Sequence, residues 1–324
     1  MKKVVILGGG TGLSVLLKGL KEFPLDITAV VTVSDDGRST GILREEFNIP
    51  AVGDLRNVLA SLSKEEPLVE QLLQYRFQTY SDLNNHAVGN LLLTALYNIT
   101  GNLTESMKSL GKILNIKGKV LPLTEDKAVL VAHTKDGETI IGESNITKAG
   151  KVITNIEYLT PITITKEVLN AIKEADLIIF GLGSLYTSIL PNVLNDEIKQ
   201  ALIKSKAKKM YICNAMTEHG ETDNFKVSDC IRVINSYIKD NFIDVVVANK
   251  KQVDADVQKI YKEKENSTAI LIDEENIQKL NVELICEDLV LNINNQVRHD
   301  SLKTAFVIFS YLMKGDKQWA FLPI

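Results

Sequence analysis

Two glycine-rich turns have the residue types and the position needed to bind a phosphate group. Residues 8–12 (GGGTG) separate an apolar run from a helical pattern, and residues 181–184 (GLGS) follow another apolar run. Glycine lets the backbone approach a ligand closely, and free N–H groups at the start of the next helix attract a phosphate. We predict that both turns bind a ligand, with the alternative that they are tight turns without one. The predicted binding residues are Gly9, Gly10, Thr11, Gly12, Gly181, Gly183, Ser184, Leu185, Tyr186, Thr187 and Ser188.

The first turn differs from two common phosphate-binding motifs. No Gly-Lys-Ser/Thr sequence follows it, so it is not a Walker A loop. Leu13 occupies the last glycine position of the dinucleotide fingerprint. A nicotinamide-dependent dehydrogenase therefore ranks last among the functions considered, because no residues for hydride transfer follow either.

A third polar loop, residues 214–222 (NAMTEHGET), follows the apolar run that ends at Cys213. Near the end of the sequence, Arg298 precedes a helical pattern that Asp300 is expected to cap, and its guanidinium could meet a phosphate. Ligands in open α/β sheets bind in the crevice at the carboxyl ends of the strands. We therefore expect this loop and Arg298 to share a crevice with the two turns. The predicted binding residues of the loop are Asn214, Thr217, Glu218 and Thr222.

Adjacent acidic residues follow another apolar run, in residues 34–37 (SDDG). Mg²⁺ commonly binds one or two protein carboxylates together with the phosphates of a substrate. Asp35, Asp36 and Asp54 are the candidate catalytic residues, and Asp36 and Asp54 are the candidate ligands of Mg²⁺. The alternatives are a solvated turn for residues 34–37 and a helix N-cap for Asp54. Convergence of all three carboxylates in one crevice would favour a shared site.

Further polar residues are candidates for the same ligand. Ser34 and Gly37 flank the acidic pair, and Asn57 lies in the helical pattern that follows it. His86 and Asn90 are one helical turn apart and therefore share a face. Two interpretations of His86 and Asn90 therefore stay open: they bind the ligand, or they belong to a buried hydrogen-bond network.

The spacing of apolar residues predicts an α/β fold of the Rossmann-like three-layer type, with a doubly wound, mostly parallel sheet. Residues 4–7, 27–33, 177–180, 210–213, 245–248 and 269–272 are predicted to be buried strands, with amphipathic helices between them. The stretch 119–160 shows shorter strands, with Asp136-Gly137 as a hairpin turn. It predicts a small antiparallel β insertion within a single domain that spans residues 1–324.

The composition excludes several classes of function. The 324 residues are 45% hydrophobic and 24% charged, which is typical of a globular protein. The net charge of −4 lacks the basic surplus of nucleic-acid-binding proteins. Three widely spaced cysteines predict buried free thiols, and four histidines outside any Cys/His cluster argue against a zinc site. With neither a signal peptide nor an apolar run of bilayer length, we expect a cytoplasmic protein without membrane insertion, and a homo-oligomer is left open.

Taken together, these motifs resemble the CofD-like family, which joins 2-phospho-L-lactate transferases and bacterial gluconeogenesis factors. The segments that carry the resemblance are 8–12 (GGGTG), 34–37 (SDDG), 53–59 (GDLRNVL), 86–93 (HAVGNLLL), 181–192 (GLGSLYTSILPN) and 213–222 (CNAMTEHGET). The transferases continue after the acidic pair toward a Pro-Asp motif that helps to seat a deazaflavin. Residues 33–59 read differently, so the sequence is most similar to the gluconeogenesis-factor branch.

That resemblance implies a protein that binds UDP-sugars, notably UDP-N-acetylglucosamine, and supports cell shape and growth on gluconeogenic carbon sources. The leading hypothesis is a regulator of carbon flow and envelope growth, with a nucleotide sugar or other phosphate-bearing small molecule as its partner. No cofactor is certain from the sequence, and Mg²⁺ is possible. The alternative is a Mg²⁺-dependent transferase that moves a phosphorylated group from a nucleotide-activated donor. Turnover of UDP-sugars in the presence of Mg²⁺ would distinguish the two.

Overall fold

The computed structural model describes residues 1–64 and 67–314 of the chain. Its strands are β1 (Lys2–Gly8), β2 (Leu25–Val31), β3 (Lys119–Pro122), β4 (Leu130–Thr134), β5 (Thr139–Ile141), β6 (Ile153–Tyr158), β7 (Leu177–Phe180), β8 (Lys208–Ile212), β9 (Val245–Asn249), β10 (Glu283–Glu287), β11 (Val290–Ile293) and β12 (Gln296–His299). Its α-helices are α1 (Gly10–Leu20), α2 (Arg38–Glu46), α3 (Gly53–Leu62), α4 (Pro67–Gln74), α5 (Val88–Thr100), α6 (Leu103–Ile113), α7 (Glu143–Ala149), α8 (Lys166–Glu174), α9 (Asp196–Lys204), α10 (Val227–Ile238), α11 (Ala255–Glu265), α12 (Glu274–Lys279) and α13 (Ser301–Met313). A π-helical turn covers Leu185–Ile189, and a 3₁₀ turn covers Leu190–Val193.

A seven-stranded parallel sheet, in the order β10-β9-β8-β7-β1-β2-β3, forms the centre of the fold. Its central strands are continuous apolar runs, as in β7 (LIIF), where every residue is buried. A parallel strand with helices over both faces needs such a run, because neither face meets water. On one face, α1 packs against α3 and α13. The predicted α/β fold with a doubly wound parallel sheet is confirmed.

The strand order reverses between β1 and β7. On one side of β1 lie β2 and β3, whereas β7, β8, β9 and β10 follow in sequence on the other side. Such a reversal leaves a crevice at the carboxyl ends of the strands. The third loop, the second glycine turn, the first glycine turn and the acidic pair follow the neighbouring strands β8, β7, β1 and β2 in that order. The sheet therefore places all four segments along one edge.

A three-stranded antiparallel sheet, in the order β5-β4-β6, confirms the small insertion. Its hairpin turns at Asp136-Gly137 as predicted, with the Gly137 N–H donating to the Thr134 carbonyl at 3.0 Å. The insertion begins later than the predicted residue 119, because β3 pairs in parallel with β2 in the main sheet. The antiparallel strands begin at Leu130, and α7 lies between β5 and β6. A short apolar strand such as β3 (KVLP) does not reveal from its sequence which sheet it joins.

The strand predicted at residues 269–272 is wrong. Ala269 and Leu271 make only isolated bridges, to Met216 and Lys226. The sheet instead ends at β10 (ELICE), whose residues are partly or fully exposed. An edge strand is open to solvent along one side, so it does not need a continuous apolar sequence, and periodicity overlooked it.

The three cysteines are free thiols, as predicted: Cys213 and Cys230 are buried, whereas Cys286, on β10, is only partly buried. Within the described residues, no helix combines the length and the apolar character needed to cross a bilayer.

Candidate functional site

The two glycine turns line one cavity of about 460 Å³ at the carboxyl edge of β1, β7 and β8, here named the glycine-turn cavity. The third loop forms another part of its wall, and β12 contributes Arg298. The structure therefore brings four separate segments of the sequence to one space. The predicted residues that line it are Gly9, Gly10, Thr11, Gly12, Gly183, Ser184, Ser188, Asn214, Thr217, Glu218 and Arg298.

The two turns leave no room for a side chain where they meet. A Cβ atom on Gly12 would lie 2.7 Å from the carbonyl carbon of Leu182. Gly10 has a φ of +68°, a left-handed conformation that other residues rarely adopt. At Gly10 and Gly12 the first turn therefore presents backbone rather than side chains, which is the condition for close approach of a phosphate.

Asn214 joins the third loop to the second glycine turn. Its Nδ2 donates to the Gly183 carbonyl at 2.8 Å, and its Oδ1 accepts a longer bond of 3.5 Å from the Gly183 N–H. The shorter bond has ordinary strength, and the longer one contributes little. The Asn214 amide thus helps to hold the third loop against the second glycine turn.

Several predicted binding residues lie behind the wall of this cavity. Glu221, which the sequence analysis did not select, accepts hydrogen bonds from the Tyr186 N–H at 2.8 Å and the Thr187 hydroxyl at 2.9 Å. Burial, and then the charge of Glu218, raise the pKa of Glu221 to about 8. The predicted residues that support the cavity from behind without lining it are Gly181, Leu185, Tyr186, Thr187 and Thr222.

Two carboxyl groups with raised pKa values lie next to this cavity. Asp54 accepts a hydrogen bond from the Gly10 N–H, while burial and then the charge of Asp35 raise its pKa to about 7. Glu143, a lining residue that the sequence analysis missed, has its pKa raised to about 8, first by burial and then by Asp35 and Asp54. Carboxyl groups that titrate near neutral pH can take up or release a proton during a reaction.

The described residues contain no group of three or more His, Cys, Asp or Glu side chains arranged to hold a metal ion. Asp36 accepts a hydrogen bond from the Ser144 N–H at 2.8 Å, and Asp35 is the carboxylate whose charge acts on Asp54. A Mg²⁺ ion held by Asp36 and Asp54 therefore stays a prediction. Such an ion would take its other oxygen ligands from phosphates of a bound molecule and from water.

Asp54 is not the N-cap of α3, so that alternative is wrong. The helix begins at Gly53, and Val52 occupies the cap position without a side-chain hydrogen bond. The Asp54 carboxylate is bonded to the first glycine turn instead. By contrast, Asp300 caps α13 as predicted, because its Oδ1 accepts from the Lys303 N–H at 3.0 Å.

His86 and Asn90 belong to a buried network around Ser39. The Ser39 hydroxyl lies 3.1 Å from His86 Nδ1 and accepts from Asn90 Nδ2 at 3.2 Å. Ser34 is also buried, with its hydroxyl 2.8 Å from that of Thr32. None of these five side chains lines the glycine-turn cavity or the neighbouring cavity at Asp35 and Asp36. Of the two alternatives for His86 and Asn90, the structure therefore favours the internal network.

A second cavity of about 760 Å³, here named the arginine cavity, adjoins the first at α7. Glu143 lines the glycine-turn cavity, and the next residue, Ser144, lines the arginine cavity. Arg56 is a lining residue that sequence reasoning missed, although it lies within the 53–59 segment (GDLRNVL). The predicted residues that line this cavity are Asp35, Asp36, Gly37 and Asn57.

Comparisons with known proteins agree on one family. A family model described as 2-phospho-L-lactate transferase CofD matches residues 4–290. The chain is 46% identical over 312 residues to the gluconeogenesis factor of Bacillus subtilis (strain 168), which covers 96% of this chain and 98% of that protein. It is 44% identical over 309 residues to the gluconeogenesis factor of Halalkalibacterium halodurans, covering 95% of each. A crystal structure of a Bacillus halodurans protein matches with a TM-score of 0.92 and 43% identity, over 95% of this chain and 99% of that chain.

Proposed function

The chain belongs to the CofD family, and we propose that it is a gluconeogenesis factor whose ligand is a nucleotide sugar, in the first instance UDP-N-acetylglucosamine. The observation that carries the proposal is the glycine-turn cavity, where two backbone turns and Arg298 face one space. In this proposal the protein works in the cytoplasm and regulates carbon flow and envelope growth. The two relatives named gluconeogenesis factor support the general kind of function.

Each part of a nucleotide sugar finds suitable chemistry in this cavity. The Gly10 N–H donates to Asp54, and the next residues of α1, Thr11 and Gly12, offer their N–H groups and the positive end of the helix dipole to the diphosphate. Arg298 is exposed and donates to Gln296 Oε1 at 2.9 Å, so it can turn toward a phosphate. Tyr261 lines the cavity with its hydroxyl held by the Val297 N–H at 2.9 Å, and its ring offers a stacking surface to a base. The Ser184 hydroxyl, which lines the cavity and is hydrogen-bonded to the Glu218 carboxyl, suits a sugar hydroxyl.

A transferase is the second candidate, and the carboxyl groups of Asp54 and Glu143 favour it. Both have pKa values raised toward neutrality, and Glu143 stands where the two cavities adjoin. A carboxylate of that kind can accept the proton of an attacking hydroxyl. In this candidate, Asp36 and Asp54 would hold Mg²⁺, which would neutralise the charge of the donor phosphates.

Thermal unfolding with UDP-N-acetylglucosamine, UDP and NAD tests the binding proposal. A ligand at a hundred times its Kd stabilises the folded state by about 2.7 kcal/mol, which raises the Tm measurably. We expect a shift with UDP-N-acetylglucosamine and none with NAD. Arg298→Gln should lose the shift, whereas Arg232→Gln, an exposed arginine on α10 paired with Asp229, should keep it. A shift with NAD and none with any UDP-sugar would contradict the proposal.

Product analysis separates the two candidates. The full chain is incubated with UDP-N-acetylglucosamine, Mg²⁺ and a polyol acceptor. Transfer of the phosphorylated sugar to the acceptor leaves UMP, and its release is followed by chromatography. Binding without release supports the regulator. Release of UMP that Glu143→Gln abolishes, with ligand affinity unchanged, would support the transferase instead.

A further inference from the structure

The arginine cavity has a buried guanidinium without its full set of hydrogen bonds. Arg56 is 5% exposed and lines this cavity from α3. Its Nη2 donates to Asn57 Oδ1 at 2.7 Å, but its Nε and Nη1 are buried and have no partner among the described residues. A buried charged donor without an acceptor is costly, and native proteins rarely keep one unless a bound group supplies the acceptor.

A second guanidinium stands close to the first. Arg76 also lines the cavity, is half-buried, and donates from Nη1 to the Asn85 carbonyl at 2.8 Å. Burial, and then the charge of Arg76, lower the pKa of Arg56 to about 10. The carboxylates of Asp35 and Asp54 offset part of this repulsion between like charges, and an anion between the two guanidinium groups would offset more of it.

The other basic side chains of this cavity are not equivalent to Arg56. Arg44 donates to the carbonyls of Asp35 at 2.9 Å and Ala128 at 2.8 Å, so it holds backbone in place. Lys127 donates to Asn48 Oδ1. Lys148 also lines the cavity, from α7, but its side chain is exposed to water. Arg56 and Arg76 are therefore the buried and half-buried cations of this cavity with donors to offer.

Acidic groups in the same cavity limit which chemical groups a ligand could have besides one anion. Asp35 and Asp36 line it, and each has one carboxylate oxygen held by a backbone N–H, of Gly37 and Ser144 respectively. Carboxylates repel a second anionic group but accept hydrogen bonds from hydroxyl groups. A volume of about 760 Å³ is also much larger than a bare phosphate ion and lies in the range of small-molecule sites.

We propose that the arginine cavity binds a small hydroxylated phosphate ester, with its phosphate between Arg56 and Arg76 and its hydroxyl groups on Asp35 and Asp36. A phosphate dianion suits two separate guanidinium groups because it offers three acceptor oxygens. This site is distinct from the proposed nucleotide-sugar site, because none of the described residues that line one cavity also lines the other. The protein would then respond to two phosphate-bearing molecules.

Calorimetric titration of the full chain tests this site, with glycerol 3-phosphate as the phosphate ester and malonate as a dicarboxylate of similar size. The titration is run with and without saturating UDP-N-acetylglucosamine. The nucleotide sugar occupies the glycine-turn cavity, so that the phosphate of glycerol 3-phosphate cannot enter it. We expect glycerol 3-phosphate to bind in both arms, and more tightly than malonate. Arg76→Gln should weaken it by about tenfold or more, and Arg232→Gln should not change it.

Arg56→Lys provides the second variant, because it keeps the charge but loses the planar fork. We expect weaker binding of glycerol 3-phosphate with little change in the Tm. Equal affinity in wild type and Arg76→Gln, tighter binding of malonate, or no binding of either probe at millimolar concentration would each overturn the proposal. Failure of UDP-N-acetylglucosamine to bind would count against the nucleotide-sugar proposal alone, since the arm without it still tests Arg76.

Discussion

The carboxylate of Asp36 accepts a hydrogen bond from the backbone N–H of Ser144 at 2.8 Å, although 108 positions separate the two residues. Asp36 follows β2 of the main sheet, whereas Ser144 lies in the first turn of α7 in the antiparallel insertion. The bond satisfies one of the N–H groups that a helix leaves free at its start. It also places Glu143 against the glycine-turn cavity, so the insertion contributes to the candidate site.

Two substitutions of Asp36 should distinguish its hydrogen bond to Ser144 from a role in binding Mg²⁺. Asp36→Ala removes the acceptor for Ser144, and we expect it to lower the free energy of unfolding by about 1 kcal/mol, measured in urea. Asp36→Asn keeps an acceptor oxygen and should be nearly as stable as wild type. If Asp36 holds Mg²⁺, the Asn variant should lose the Mg²⁺ dependence of ligand binding. An Asn variant with wild-type Mg²⁺ dependence would remove Asp36 from the metal site.

The buried carboxyl groups predict that the ligand-free protein is less stable at alkaline than at acidic pH. Folding raises the pKa of Asp54 from 3.8 to about 7 and that of Glu143 from 4.5 to about 8. Between these values the two carboxyl groups bind more protons in the folded protein than in the unfolded chain, so their contribution to stability falls as the pH rises from about 4 to about 8. Burial lowers the pKa of His299 from 6.5 to about 4, so this single group opposes them between those two values. We expect a lower Tm at about pH 8 than at about pH 5.5, with a smaller difference in Asp54→Asn.

An exposed aspartate provides the control for this pH dependence. The Lys151 ammonium and the Thr134 hydroxyl hold the pKa of Asp136 at about 2, so Asp136 keeps its charge throughout the range tested. Asp136→Asn should therefore leave the slope of Tm against pH unchanged. A Tm that rises between about pH 5.5 and about pH 8, or an equal slope in wild type and Asp54→Asn, would contradict the assignment.

Gly10→Val should abolish nucleotide-sugar binding, because it places a side chain where the phosphate approaches the backbone. The substitution should also lower stability, so a second variant with the same loss of stability is needed as a control. The φ of +68° at Gly10 is strained for valine by about 1–2 kcal/mol, although the nearest atom to a Cβ there, Ser188 Oγ, is 3.8 Å away. Gly101, the residue after α5, has a similar φ of +81° and no atom within 4 Å of a Cβ. Gly101→Val should therefore lose similar stability and keep wild-type affinity by calorimetry. Equal affinities in the two variants would show that the first turn is structural.

The sequence predicts the fold and part of the site because the signals for them are local. The strand β7 is a continuous apolar run and β1 contains one at residues 4–7, since helices cover both faces of the sheet, and glycine follows each run. Glu143 and Arg56 have no such local signal. Glu143 lies at the site because the start of α7 is hydrogen-bonded to Asp36. Arg56 becomes a candidate for anion binding because Arg76, from another segment, lies close to it in the folded protein. Contacts of this kind depend on tertiary packing, which periodicity does not report.

Asn214→Asp should weaken nucleotide-sugar binding by about tenfold or more. The Asn214 amide donates to the Gly183 carbonyl at 2.8 Å, and a carboxylate would place an acceptor against that acceptor. The new negative charge would also face the phosphates of the proposed ligand, because Asn214 lines the glycine-turn cavity. Calorimetry with UDP-N-acetylglucosamine measures the affinity, and urea unfolding measures the loss of stability.

Asn195→Asp is the matched control. The Asn195 amide also donates to a backbone carbonyl, that of Ile162 at 2.7 Å, but it lies outside the glycine-turn cavity. Its side-chain oxygen caps α9 through the Glu197 N–H, a role that aspartate retains. Both variants should therefore lose a similar amount of stability, about 1–3 kcal/mol, because each loses a hydrogen bond to a carbonyl. Only Asn214→Asp should lose affinity, and an equal loss in both variants would mean that the effect comes from stability rather than from the charge in the cavity.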